Sequence, residues 1–166
     1  LVSPVFCPIA QAGDSKDKSD EVYLFAFFRH GEKTYVQGKE FFSGGAGMYL
    51  AWSGDGLKWS EIGKGRLFFK PKKSNTFRDP TLIRGNDGIF RLVWTTGWRD
   101  KTIGYAESKD LIHWENQKLV PVMGQEPGAR NTWAPEIIYD DNARDYMIFW
   151  SSTIDGRFPE TVRPEE

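Results

Sequence analysis

Apolar residues in this chain come in short runs, each cut by glycine, proline, asparagine or aspartate, and the patterning stays strong as far as Thr153. The pattern predicts strands over 79–84, 89–95, 102–108 and 114–120. Gly85-Asn86-Asp87-Gly88 separates the first two, and its Asp-Gly pair supplies the positive φ of a hairpin turn. The segment 110–114 turns the chain into the fourth strand. Runs at 23–28 and 47–62 read as strands of a preceding sheet. Runs at 133–139 and 144–152 read as the first two strands of a following one.

The unit repeats. Ala51, Ser53, Asp55 and Trp59 recur as Ala106, Ser108, Asp110 and Trp114, and Pro80 and Ile83 recur as Pro135 and Ile138. All six matches share one offset of 55 residues, so they belong to one register. Asp55 and Asp110 are expected to accept backbone N–H bonds inside their own turns. Trp59 and Trp114 are expected to pack between neighbouring sheets. Four short strands per unit at a period near 50 residues is the pattern of a β-propeller blade. The chain then holds one whole blade and parts of two others, about two blades in all. A propeller closes with about four or more blades, so the sequence is expected to be a piece of a longer protein.

Composition agrees with an all-β fold. Aromatic residues make up 15% of the 166, with Trp 7 and Phe 12, and there are Gly 17 and Pro 9. Exposed aromatic faces also suit the C–H surfaces of sugars. The net charge is -1, from Lys+Arg 22 against Asp+Glu 23, which gives no electrostatic case for a nucleic-acid partner or an anionic membrane. No apolar run reaches the ~18 residues a membrane helix needs. Cys7 stands alone, so no intrachain disulfide forms. His30 and His113 are isolated and read as surface or strand residues, and no metal site is expected.

The start of the chain reads as a leader. A mildly apolar stretch ends Ala10-Gln11-Ala12 before Gly13, with small residues where a signal-peptide cleavage site requires them. Asp14, Lys16, Asp17, Lys18, Asp20 and Glu21 follow. Residues 1–21 are expected to be a signal-peptide remnant and flexible leader, with a frayed N-terminus as the alternative. Residues 22–166 form the partial propeller domain. On this reading Cys7 is removed and the protein is secreted or periplasmic.

The candidate chemistry sits at the blade openings, because the innermost strands of a propeller line its central channel. The openings are Phe77-Arg78-Asp79-Pro80 and Asn131-Thr132-Trp133-Ala134-Pro135-Glu136. In the first, a carboxylate lies between a guanidinium and a proline. An Asp beside an Arg is held ionised, and an ionised carboxylate at the tip of a strand is a candidate general base. The bland reading makes Arg78 and Asp79 a turn-closing ion pair. Glu136 follows its proline, and strand alternation directs it away from the channel. Trp98 and Trp133 offer flat apolar faces, with core packing as the alternative. The same holds for Trp150. Lys70-Pro71-Lys72-Lys73 lines a cleft or is a solvated face.

The two openings, the Ser-x-Asp-x-x-x-Trp closing each unit and Val93-Trp94-Thr95-Thr96-Gly97-Trp98 together resemble glycoside hydrolases of family 43. The resemblance covers about 23–161. It implies an incomplete five-bladed β-propeller whose parent hydrolyses arabinose- or xylose-containing glycans. It implies that Asp79 is the base that activates water. A pKa-tuning Asp and the general acid Glu stand in later blades of such enzymes, and no match to them follows Glu136 here. Arg78, Trp98, Trp133 and Glu136 are then the expected substrate contacts, and an oligo- or polysaccharide is the expected partner. No cofactor is required. Ca²⁺ or Na⁺ in the central channel occurs in relatives, but no residue here demands one.

Other readings compete. β-Fructosidases are five-bladed relatives with an Arg-Asp-Pro whose aspartate stabilises the transition state, while an earlier Asn-Asp-Pro supplies the nucleophile. No Asn-Asp-Pro precedes Phe77 in this sequence. Sialidases carry an Asp-turn similar to the segment from Ser53 to Trp59, though this copy is one residue shorter and lacks an arginine triad. A propeller that binds carbohydrate without cleaving it is a third possibility. A purely structural repeat is the weakest.

Overall fold

The structure, a computed structural model, describes residues 21–31, 33–36, 39–42, 45–74 and 76–159. The predicted leader lies outside these residues except for Glu21. Among the described residues three sheets follow one another along the chain, and a fourth, two-stranded one stands apart. The first joins β1 (Tyr23–Phe28), β4 (Met48–Ser53) and β5 (Ser60–Glu61) in the order β1-β4-β5. The second is a complete four-stranded antiparallel blade of β6 (Arg78–Arg84), β7 (Phe90–Thr95), β8 (Ile103–Ser108) and β9 (Trp114–Val120) in simple meander order. The third pairs β10 (Trp133–Asp140) with β11 (Asp145–Ser151). This is the architecture of a partial β-propeller. The predicted strands are present within one or two residues at each end.

One feature was not anticipated. Between β1 and β4, β2 (Lys33–Val36) and β3 (Lys39–Phe42) pair as a separate two-stranded sheet. The offset of 55 could not reveal it, because the strand-bearing segments of the other sheets carry no counterpart.

Contact between the first two sheets builds the core. Met48, Leu50 and Phe69 on one side meet Phe77, Leu82, Leu92, Trp94 and Ala106 on the other. Trp94 is fully buried and lies flat over Gly104, its cross-strand partner. A Cβ added at Gly104 would come within 1.9 Å of the indole, so only glycine leaves room for that ring. Aromatic contacts tie the layers together: Phe69 stands 4.9 Å from Trp94 and 5.2 Å from Trp114, centroid to centroid.

The repeated turns form as expected. Oδ1 of Asp55 accepts the N–H groups of Leu57 and Lys58, and Oδ1 of Asp110 accepts those of Ile112 and His113. Ser53 and Ser108 accept a further N–H each from Gly56 and Leu111. Trp114 packs between sheets and donates its indole N–H to the Phe68 carbonyl. Trp59 differs. Among the described residues it is 37% exposed and leans on Phe25 of its own sheet.

Candidate active site

β1, β6 and β10 lie side by side, so the three sheets present their first strands to one region. The start of β6 is irregular. Arg78 pairs with Thr95 and Thr81 with Val93, so Asp79 and Pro80 together oppose a single residue. This is a β-bulge, the device by which a strand re-aims a side chain. Asp79 takes φ +48°, in the left-handed region that aspartate tolerates better than most residues.

The start of β10 repeats that geometry. Trp133 pairs with Ser151 and Glu136 with Phe149, so Ala134 and Pro135 oppose one residue. Ala134 takes φ +47°. Asp79 and Ala134 are themselves 55 residues apart, so the bulge belongs to the repeat.

A pocket of about 190 Å³ opens between the two bulges, lined by Arg78, Asp79, Thr95, Gly97, Trp98, Trp133 and Ala134. That is the volume of about six waters at ~30 Å³ each. Trp98 and Trp133, 49% and 38% exposed, meet edge to face with centroids 5.9 Å apart and planes at 87°. The indole N–H of Trp133 donates to the Trp98 carbonyl. The corner is held from behind by Thr132, whose hydroxyl bonds the carbonyls of Asp100 and Thr102.

Arg78 does not clamp Asp79, contrary to the sequence expectation. Among the described residues there is no ion pair between them. The guanidinium lies over the Trp98 ring at 4.5 Å and faces Phe28 at 5.1 Å, with Nδ1 of His30 3.5 Å from its Nη1. The bulge explains the divergence. Arg78 keeps the regular pairing with Thr95 while Asp79, in the left-handed conformation, is turned out of register. The partner that does hold the carboxylate is Thr95, whose Oγ1 lies 2.9 Å from Oδ2 of Asp79.

Of the predicted site residues, Asp79, Arg78, Trp98 and Trp133 therefore come together. Glu136 does not line the pocket. It stands one repeat after Thr81, whose hydroxyl reaches the Pro135 carbonyl of the following sheet, and it is exposed on β10. Trp150 is half-buried in β11, and Lys70, Lys72 and Lys73 are exposed. Thr95 was missed. A signal existed: an unbroken hairpin through Gly85-Asn86-Asp87-Gly88 would set residue 95 opposite residue 79. Among the described residues no group of three or more His, Cys, Asp or Glu could hold a metal ion. No described helix is long and apolar enough to cross a membrane.

A comparison with known families matches residues 20–161 to the glycoside hydrolase family 43-related group described as "Probable glycosyl hydrolase domain". The chain belongs to this family. Two curated relatives are acid beta-fructofuranosidases, from Vigna radiata var. radiata and from Phaseolus vulgaris. Each is 27% identical over 114 residues, covering 66% of this chain and 17% of the relative. No solved structure matches significantly. The glycosyl hydrolase domain thus carries its pocket where two repeated bulges face each other.

Proposed function

We propose that the full-length protein hydrolyses glycosidic bonds of arabinose- or xylose-containing glycans by inversion, with Asp79 as the general base. The observation that carries this reading is the placement of Asp79. It is the single carboxylate among the described residues lining the pocket, it projects from a bulge, and it faces an aromatic corner. In an inverting reaction the base takes a proton from water as the water oxygen bonds the anomeric carbon. An acid gives its proton to the leaving oxygen, and the two carboxyl groups stand about 6.5–9.5 Å apart. The acid would come from outside the described residues. Trp98 and Trp133 would receive the sugar ring, and Arg78, fixed over Trp98, would hydrogen-bond its hydroxyls.

The similarity to two acid beta-fructofuranosidases favours a second reading, in which the substrate is a β-fructofuranoside and Asp79 stabilises the transition state. Substrate panels separate the two. Full-length protein is assayed on aryl arabinofuranosides, aryl xylosides and β-fructofuranosides, and the anomer first released is read by NMR. Turnover of the pentosides with inverted product is expected, and Asp79→Asn should lower it about 10²–10⁴-fold while leaving the fold. Wild-type rates in that variant would sink the assignment of Asp79. Exclusive turnover of β-fructofuranosides would replace the first reading by the second.

A further inference from the structure

Thr95 is 2% exposed and ends β7 directly beneath the pocket. Two hydrogen bonds meet at its hydroxyl. The backbone N–H of Ala134 donates to Thr95 Oγ1 at 2.9 Å, and Oγ1 stands 2.9 Å from Oδ2 of Asp79. A hydroxyl has one proton and two lone pairs. The Ala134 N–H occupies a lone pair, and an ionised carboxylate only accepts. The Thr95 proton is therefore committed to Asp79, and its direction is set by the neighbouring sheet. Among the described residues Oδ1 of Asp79 takes no hydrogen bond, which leaves it as the oxygen open to the pocket.

We infer that Thr95 is a positioning residue: it pins Oδ2 of Asp79 and ties that carboxylate to the backbone of the next blade, so that Oδ1 faces the water to be activated. This rests on the reading of Asp79 as base. The relay Ala134 N–H to Thr95 to Asp79 spans both bulges, so the two openings act as one unit. Swinging the carboxylate away would leave the substrate corner intact, because Trp98 and Trp133 are held by other bonds.

The test uses the full-length protein. Thr95→Val keeps the shape and removes the hydroxyl, and Thr95→Ser restores it. The inference expects kcat to fall about 10–100-fold in Thr95→Val, as for loss of an outer partner that orients a reacting group, with KM within about twofold. Thr95→Ser should recover kcat to within about threefold. In the Asp79→Asn background Thr95→Val should lower the residual rate no further, because residues acting as a unit are non-additive. Wild-type kcat in Thr95→Val would overturn the inference. So would a loss that follows the folded fraction by circular dichroism and is not recovered by serine, since that marks a brace and nothing more. If Asp79→Asn alone is inactive while Thr95→Val is wild-type, only the role of Thr95 falls. If Asp79→Asn keeps its rate, the base assignment falls and this inference with it.

Discussion

At the start of β6 the chain bulges at Asp79, and at the start of β10 it bulges at Ala134. Both residues precede a proline, both take φ near +48°, and both follow a residue paired with a hydroxyl side chain, Arg78 with Thr95 and Trp133 with Ser151. An alanine in this region has no side-chain bond to offset a cost of roughly 1–2 kcal/mol. That it is tolerated shows that the bulge is a property of the blade opening itself. Chemistry enters through the side chain placed on it. In the first opening that is a carboxylate held by Thr95. In the second it is a methyl group whose backbone N–H serves the first.

The sharpest way to break this comparison is to exchange the two side chains. Asp79→Ala gives the first opening the chemistry of the second and should lower turnover about 10²–10⁴-fold, the range for losing a general base. Adding Ala134→Asp restores the carboxylate count without restoring its place. Ala134 is exposed and its N–H, not its side chain, meets Thr95, so the double variant should stay at the level of the single one. Progress curves on the substrate found active, with circular dichroism as a fold control, decide it. Recovery to within tenfold of wild type would mean that any acid in the pocket suffices.

Behind the first opening, Trp94 precedes Thr95 and is fully buried over Gly104. Gly104→Ala would put a methyl group into the Trp94 ring, and overpacking a filled core costs typically 1–3 kcal/mol. With the ring fully buried and the approach so close, about 3 kcal/mol is expected. It would be read as a lower urea midpoint at unchanged slope. A loss below about 1 kcal/mol would show that β7 yields easily and that Thr95 is not braced from behind.

Much of this was legible in the chain. Repeat matches at one offset placed the complete blade, its four strands and its Asp-turns, because each element depends on residues close in sequence. Arg-Asp-Pro and Trp-Ala-Pro-Glu marked the two openings for the same reason. What the chain hid was the bulge. It shifts register by one residue, and in a strand one residue decides the face. Arg78 was expected against Asp79 and lies against Trp98, whereas Thr95, opposite residue 79 in an unbroken register, was open to sequence reasoning. Glu136, expected among the substrate contacts, is exposed on β10 and does not line the pocket. The β2–β3 pair escaped because it lies outside the repeat.

The seam between the second and third sheets has a far end as well as a mouth, and there an ion-paired arginine of one sheet meets a tyrosine of the other. Asp87 pairs with Arg91 at 2.6 Å, the Arg91 guanidinium lies 4.1 Å over the Tyr146 ring, and its Nη1 donates to the Tyr146 hydroxyl at 3.0 Å. The hydrogen bond from Arg91 pushes the Asp87 carboxyl down to about 2, from an ordinary 3.8. A carboxyl depressed in the folded state adds stability that is fully present above its unfolded value near 4 and is lost as pH falls through about 2. Because the Asp87 side chain is 45% exposed, solvent screens the pair, and about 0.5 kcal/mol is the expected scale. Asp87→Asn keeps an oxygen for the Ile89 N–H and for Nη1 of Arg91, and removes the charge together with the Oδ2 acceptor of Arg91 Nη2. It should lower stability by that amount at neutral pH and by nothing below pH 2, with kcat unchanged throughout. A change in kcat would show that the far end of the seam governs the mouth, and the two ends would then have to be treated as one site.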